Sequence, residues 1–244
     1  MTDVTPQEYP TPPMKALPPS TRLCGAGLAG LPLVLGAAFL LVGANFAALA
    51  LAVGAHTVGF ALALRLVRRG YPHPDLGLCN LVTMARLALT AALVAPLAGA
   101  ANPWSVFAIA AIALSLDGAD GWLARREGRV SSFGARLDVE VDSALALILA
   151  LNAWAAGTTG AVVLLLGLPR YAFMAAAQVY PHLSRPLPER FSRKAVCVLQ
   201  AATLIALQLP PLAMTFSDPL VALVGAALIW SFGRDVVWLH RART

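Results

Sequence analysis

Long apolar stretches broken by short polar hinges dominate the chain. Between Arg22 and Arg65 there is no Asp, Glu, Lys or Arg and His56 is the one basic side chain, and between Arg86 and Asp117 there is no ionisable side chain; these intervals hold 42 and 30 residues. A membrane-crossing helix needs about 20 apolar residues, so each interval suits two helices rather than one. Spans fit at about 23–43, 46–64, 78–98, 103–124, 134–156, 160–179, 193–213 and 218–239. The period-two alternation of a membrane barrel is missing, and no repeat marks the inverted halves of a transporter. The pattern predicts an all-α integral membrane protein with eight spans.

Punctuation divides these spans into segments. Residues 1–22 carry six prolines, two acids and two bases and no apolar core, which predicts a disordered Pro-rich cytoplasmic tail. Residues 23–64 then form two extra transmembrane helices that pack on the core, make a homodimer contact or shape lipid entry. A basic loop over 65–77 holds Tyr71-Pro72-His73-Pro74, whose prolines forbid helix continuation. The remainder, 78–244, holds six spans. The first apolar run starts too late and behind the wrong flank for a cleaved signal peptide.

Composition adds an exclusion. The chain is 59% hydrophobic and 12% charged, about half the charged share of a soluble domain, so a water-soluble domain is ruled out. Three cysteines, Cys24, Cys79 and Cys197, imply no disulfide framework. The net charge of +6 reports topology rather than nucleic-acid binding, because the basic residues cluster between alternate spans. One cluster is Arg65, Arg68 and Arg69; a second is Arg125, Arg126, Arg129 and Arg136. A third is Arg185, Arg190, Arg193 and Lys194, and a fourth is Arg234, Arg241 and Arg243. The intervening tips Ala98–Asn102, Ala156–Gly160 and Met214–Asp218 carry only Asp218 as a charge. Positive charge stays on the cytoplasmic side, which predicts cytoplasmic termini and a multi-pass protein of the cell membrane. Trp104, Trp154, Trp230 and Trp238 fall near span ends, as interfacial aromatics do.

Acids are scarce and concentrated. Of twelve, Asp117, Asp120, Glu127, Asp138, Glu140 and Asp142 crowd into 26 residues. Asp117 and Asp120 share a helix face with Gly121 and Ala124, and Asp138 and Asp142, at i and i+4, share a face of the next helix. A short basic hairpin makes the two helices antiparallel neighbours, so four carboxylates converge at the cytoplasmic end of the bundle. Uncompensated, they repel one another and resist ionisation. Divalent cations are the natural compensation, and an all-oxygen set with no His or Cys favours Mg²⁺, Mn²⁺ or Ca²⁺ over zinc. Four carboxylates suit one or two ions, and a pair of ions is the arrangement that clamps a phosphoryl group. Glu140, two residues from each of Asp138 and Asp142, faces away and is excluded. The small Gly118, Gly121, Ala124 and Gly134 leave room for substrate or for close helix packing.

The run Asp117-Gly118-Ala119-Asp120-Gly121-Trp122-Leu123-Ala124-Arg125, then Gly134, Asp138 and Asp142, fills every fixed position of D-x-x-D-G-x-x-A-R-x8-G-x-x-x-D-x-x-x-D. It resembles the signature of the CDP-alcohol phosphotransferases. The resemblance implies a six-helix membrane bundle of that type, preceded here by two N-terminal transmembrane helices. It implies transfer of a substituted phosphate from a CDP-linked lipid donor to a small alcohol, with release of CMP. It further implies that Asp117, Asp120, Asp138 and Asp142 bind Mg²⁺ or Mn²⁺, two ions in number, and that Asp142 also takes the proton of the attacking hydroxyl. Asp117, Gly121, Ala124, Arg125 and Gly134 are implied to meet the nucleotide.

Asn80-x-x-Thr83-x-x-Arg86 is similar to the polar run on the family's first core helix, and an intramembrane Arg needs an anion. The run Ser192-Arg193-Lys194-Ala195-Val196-Cys197-Val198-Leu199-Gln200 lacks the Gly-Lys-x-Lys-Thr spacing of phosphatidylglycerophosphate-type members. Arg193 and Lys194 suit an anionic acceptor or simple topology. Arg170, inside an apolar span after Pro169, suits either a phosphate or a structural pair with Glu140. The resemblance therefore implies a transferase of phospholipid synthesis, with CDP-diacylglycerol as donor. Two rival readings are transfer of a CDP-linked headgroup to a lipid alcohol, and a transporter or scaffold that keeps a divalent-ion site.

Overall fold

Each apolar run becomes helix in the computed structural model, which describes residues 17–180, 182 and 190–241, the side chains of 212–216 excepted. Helices α1 (Pro19–Val42) and α2 (Phe46–Arg68) turn on Gly43, whose φ of 66° is open to glycine without strain. Then follow α3 (Gly77–Ala92), extended by a 3₁₀ turn at Ala95–Ala98, α4 (Pro103–Arg126) and α5 (Ser132–Ala155). A 3₁₀ turn at Ala161–Val163 leads into α6 (Leu164–Gly167), α7 (Pro169–Val179), α8 (Phe191–Ala206) and α9 (Pro210–Arg241). Among the described residues there is no strand.

The helix centred in the bundle is α3, packed against α1, α2, α4 and α5. Small side chains make this possible. Ala88, Ala91 and Ala92 of α3 meet Ala37 and Ala38 of α1, Ala48 and Ala52 of α2 and Ala110 of α4 in one continuous core, and small residues let backbones approach closely in a membrane. The two N-terminal helices are thus packed on the core. Buried His56 donates from Nε2 to the Gly27 carbonyl at 3.0 Å, tying α2 to α1.

Boundaries differ from the sequence reading in four places. The first helix begins at Pro19, inside the expected tail; residues 1–16 of that tail, and Arg185 and Arg243 of the basic clusters, lie outside the described residues. The expected tip Met214–Asp218 lies within α9, because the chain turns earlier, at 207–209. There the Gln208 amide donates to the Leu149 carbonyl at 3.1 Å and the Leu204 carbonyl at 2.9 Å, and Pro210, which lacks an N–H, opens α9. The expected span 160–179 is broken at Leu168 with a 63° bend, since Pro169 has no N–H to continue the helical ladder and its ring crowds the preceding turn. Finally, the eight expected spans do not all qualify. Among the described residues, five helices are long and apolar enough to cross a membrane, or six with the bent pair; α5 carries the site acids and α8 has only 16 residues.

Candidate active site

Asn80, Thr83 and Arg86 recur at three-residue intervals and share one face of α3. Asn80 Nδ2 donates to the Leu76 carbonyl at 2.6 Å and to Tyr71 Oη at 2.9 Å, fixing the start of the helix. The Thr83 hydroxyl donates to Asp120 Oδ2 at 2.8 Å. Arg86, 0% exposed, lies one turn deeper.

The expected convergence of α4 and α5 is present, and Arg86 is at its middle. Its Nη1 meets Asp120 Oδ2 at 2.8 Å and Asp138 Oδ1 at 2.5 Å; its Nη2 meets Asp117 Oδ1 at 2.9 Å and also Asp142 Oδ1. Each terminal nitrogen therefore bridges one carboxylate of α4 and one of α5. The anion that this intramembrane Arg requires is the aspartate cluster itself. Asp120 is buried, whereas Asp117, Asp138 and Asp142 keep part of their side-chain surface open.

Ser131 sets the register of α5: its Oγ accepts from the Gly134 N–H at 3.1 Å, an N-cap that starts the helix so that Asp138 and Asp142 face α4. Oxygen atoms of Asp117, Asp120 and Asp138 lie within 4.8 Å of one another. This all-oxygen trio fits a hard divalent cation. Asp142 joins the cluster through the shared Arg86 guanidinium.

Two cavities flank the cluster, and Asp138 lines both. The smaller, about 320 Å³, is walled by Asn80 and Thr83 of α3, Asp120, Gly121, Ala124 and Arg125 of α4, and Gly134 of α5. It gathers the implied nucleotide residues Gly121, Ala124, Arg125 and Gly134 into one place. Asp117 lines the other cavity, about 480 Å³, together with Asp142, Arg170, Lys194 and largely apolar side chains. A third cavity of about 650 Å³, around Asn152 and Thr158, has no ionisable residue among its lining and offers no acid–base chemistry.

A family model for CDP-alcohol phosphatidyltransferase matches residues 76–233, the segment from the start of α3 into α9. The chain belongs to the CDP-alcohol phosphatidyltransferase family. Comparisons with curated proteins and with solved structures each returned no match. Family members are membrane transferases of substituted phosphate groups that act on CDP-alcohols with a divalent metal. As one of them, the chain is such an enzyme, and α1 and α2 stand outside the matched segment.

Other candidates are placed elsewhere. Arg193 reaches away from the cavities to Asp235 of α9 at 3.4 Å. Arg170 pairs with Glu140 at 3.0 Å while still lining the larger cavity, so both readings of that residue meet in one side chain. Two features escaped the sequence reading. Asp235, an acid in an apolar span, could have been flagged by its cost in a membrane. The other is the ion pair of Asp75 with Arg129, two loop residues 54 positions apart that no helical periodicity connects.

Proposed function

We propose that the enzyme transfers a phosphatidyl group from CDP-diacylglycerol to a small alcohol in phospholipid synthesis. The observation that carries this reading is the four-aspartate cluster lying between a cavity that gathers Gly121, Ala124, Arg125 and Gly134 and a larger one that holds Arg170 and Lys194. The cytidine nucleotide occupies the smaller cavity, where Gly121 and Gly134 carry no side chain and Arg125 supplies positive charge for the diphosphate. Asp117, Asp120 and Asp138, with Asp142, hold Mg²⁺ or Mn²⁺, two ions in number. Bound there, the metal neutralises the diphosphate and stabilises the departing CMP.

Asp142 serves as general base. The acceptor oxygen attacks the phosphorus that carries the lipid alcohol, and the bond from that phosphorus to the CMP oxygen breaks. The acceptor proton passes to the Asp142 carboxylate, which has the most open side chain of the four acids. Arg86 fixes both helices during this transfer by holding an acid of each. Lys194 and Arg170 meet the acceptor headgroup in the larger cavity. The basic clusters support a cytoplasmic site and cytoplasmic termini.

The apolar lining of the larger cavity also favours a second reading, in which a lipid alcohol is acceptor and the CDP-linked group is a headgroup. A donor and acceptor screen separates the two. Purified protein with Mg²⁺ or Mn²⁺ is given CDP-diacylglycerol plus glycerol phosphate, inositol phosphate, serine or an amino-alcohol, and separately a CDP-linked headgroup plus diacylglycerol. CMP release confined to the first arm supports phosphatidyl transfer; release confined to the second overturns it.

A further inference from the structure

The loop that joins α2 to α3 precedes the family segment, yet it grips the loop that joins α4 to α5. Arg129 Nη2 donates to Asp75 Oδ2 at 2.9 Å, and Nη1 donates to the Asp75 carbonyl at 3.0 Å and to Asp75 Oδ1. Two nitrogens on two carboxylate oxygens make a bidentate fork, the geometry in which an Arg pair is both strong and directional. Beside it, Glu127 Oε1 accepts from the Leu78 N–H at 3.3 Å. Gly77 lies between them with φ +62°, and a Cβ there would stand 2.5 Å from Arg129 Cδ and 2.9 Å from Glu127 Oε2. Only glycine permits so close an approach of the two loops.

Tyr71 adds a second hold. Its ring packs edge-on against Phe133 at 5.4 Å between centroids, and its hydroxyl accepts from Asn80 Nδ2 at 2.9 Å. Arg22 of α1 approaches the same Asp75 carboxylate at 3.7 Å. These contacts bear directly on the smaller cavity. Arg129, Val130 and Ser131 form one of its walls, and Asn80 forms another. The spacing of the walls is therefore set in part by Asp75 and Tyr71, which do not line this cavity themselves.

We infer that Asp75 and Tyr71 are positioning residues for the cytidine nucleotide: from outside the family segment they hold the Glu127–Ser131 loop and Asn80 as the walls of the donor cavity. The inference rests on that cavity being the nucleotide site. The Arg129 guanidinium holds the Asp75 carboxyl below its ordinary carboxylate value, so the fork is ionised at neutral pH. It gives α2 a task in the reaction, since the loop that carries Asp75 and Tyr71 follows that helix.

The test measures binding of radiolabelled CDP to the full chain in lipid nanodiscs with Mn²⁺, alongside kcat and KM for CMP release. Asp75→Asn should weaken CDP about tenfold, the scale of one lost well-placed contact, with kcat within about twofold. Asp75→Glu, which can rebuild the fork, should recover most of the affinity, and Tyr71→Phe should show a smaller loss of the same kind. Arg22→Ala, which leaves the fork intact, should bind CDP normally. If Asp75→Asn does not fold, Tyr71→Phe carries the test. Unchanged CDP affinity in the folded variants, or a fall in kcat alone, overturns the inference. Gly121→Leu is the control for the site: loss of CDP there with none in Asp75→Asn removes the inference only, whereas normal CDP binding in Gly121→Leu removes the nucleotide reading of the cavity.

Discussion

Arg86 Nη1 donates to Asp120 Oδ2 over 2.8 Å, and both residues are buried. The same guanidinium holds Asp117, Asp138 and Asp142, so one cation answers four carboxylates drawn from two helices. Taking that cation away leaves acids of like charge facing one another in the bundle, and an uncompensated buried charge costs about 3–5 kcal/mol. Arg86→Met should therefore unfold at a markedly lower temperature than the unaltered protein when both are kept in a chelator. Added Mn²⁺ should narrow the gap, because a divalent ion supplies the missing positive charge. A gap of the same size with and without Mn²⁺ would show that Arg86 acts through packing rather than as a counter-ion.

The four acids divide by role. Asn preserves the shape of Asp while removing charge and basicity, so Asp142→Asn should keep much of its CDP and Mn²⁺ binding but lose turnover by about 10²- to 10⁴-fold. Asp117→Asn and Asp120→Asn should lose both binding and turnover, since they belong to the compact oxygen trio. Binding titrations beside CMP-release rates distinguish the two patterns. Equal loss of donor binding in Asp142→Asn and Asp117→Asn would make Asp142 a metal ligand first.

Much of this site was legible because its chemistry is local. Asp117 with Asp120, and Asp138 with Asp142, are brought together by helical periodicity alone, and the hairpin between them forces α4 and α5 to be neighbours. Asn80, Thr83 and Arg86 were likewise visible as one polar run on a helix. Their destination was not, because the angle at which α3 enters the bundle depends on packing of alanines from four helices, and nothing in the spacing of Arg86 says that its anion is Asp117 to Asp142. The bend at Leu168 was readable from Pro169, yet the apolar run around it outweighed that signal. Asp75 and Arg129 sit in loops, where no period exists, and only the folded chain brings them together.

The proposed orientation rests on the charge clusters and is open to labelling. In a background without Cys24, Cys79 and Cys197, a cysteine at Gly128, in the basic loop after α4, should react with an impermeant reagent only from the cytoplasmic side. One at Thr158, in the uncharged turn after α5, should react only from the other side. The opposite result would turn the aspartate cluster away from cytosolic nucleotides.

The loop fork carries a pH signature of definite sign. Asp75 has its carboxyl held down by Arg129, with Arg22 contributing and Glu127 and Tyr71 as the other titratable neighbours. A depressed carboxylate stabilises the fold above its unfolded value, about 3.9, and that contribution fades as pH falls through the lower folded value. The melting-temperature difference between the unaltered protein and Asp75→Asn should accordingly stay level from about pH 8 to pH 5 and close only below about pH 4. A difference that already closes near pH 6 would show that a group other than the Asp75 carboxyl sets it.

Arg170 distinguishes an acceptor contact from a structural pair. Glu140 turns away from Asp138 and Asp142 and takes Arg170 at 3.0 Å, while Arg170 lines the larger cavity with Lys194 and Asp142. A half-exposed pair of this kind contributes no more than about 1 kcal/mol, so the fold should tolerate its loss. Arg170→Ala should raise KM for the acceptor several-fold while leaving CDP affinity unchanged, because its helix supplies no wall of the donor cavity. Glu140→Gln removes the partner and leaves the guanidinium in place, so its acceptor KM should change far less. Similar small losses of melting temperature in both variants, with acceptor KM unmoved in either, would assign Arg170 to the ion pair alone and leave Lys194 as the cation that meets the acceptor.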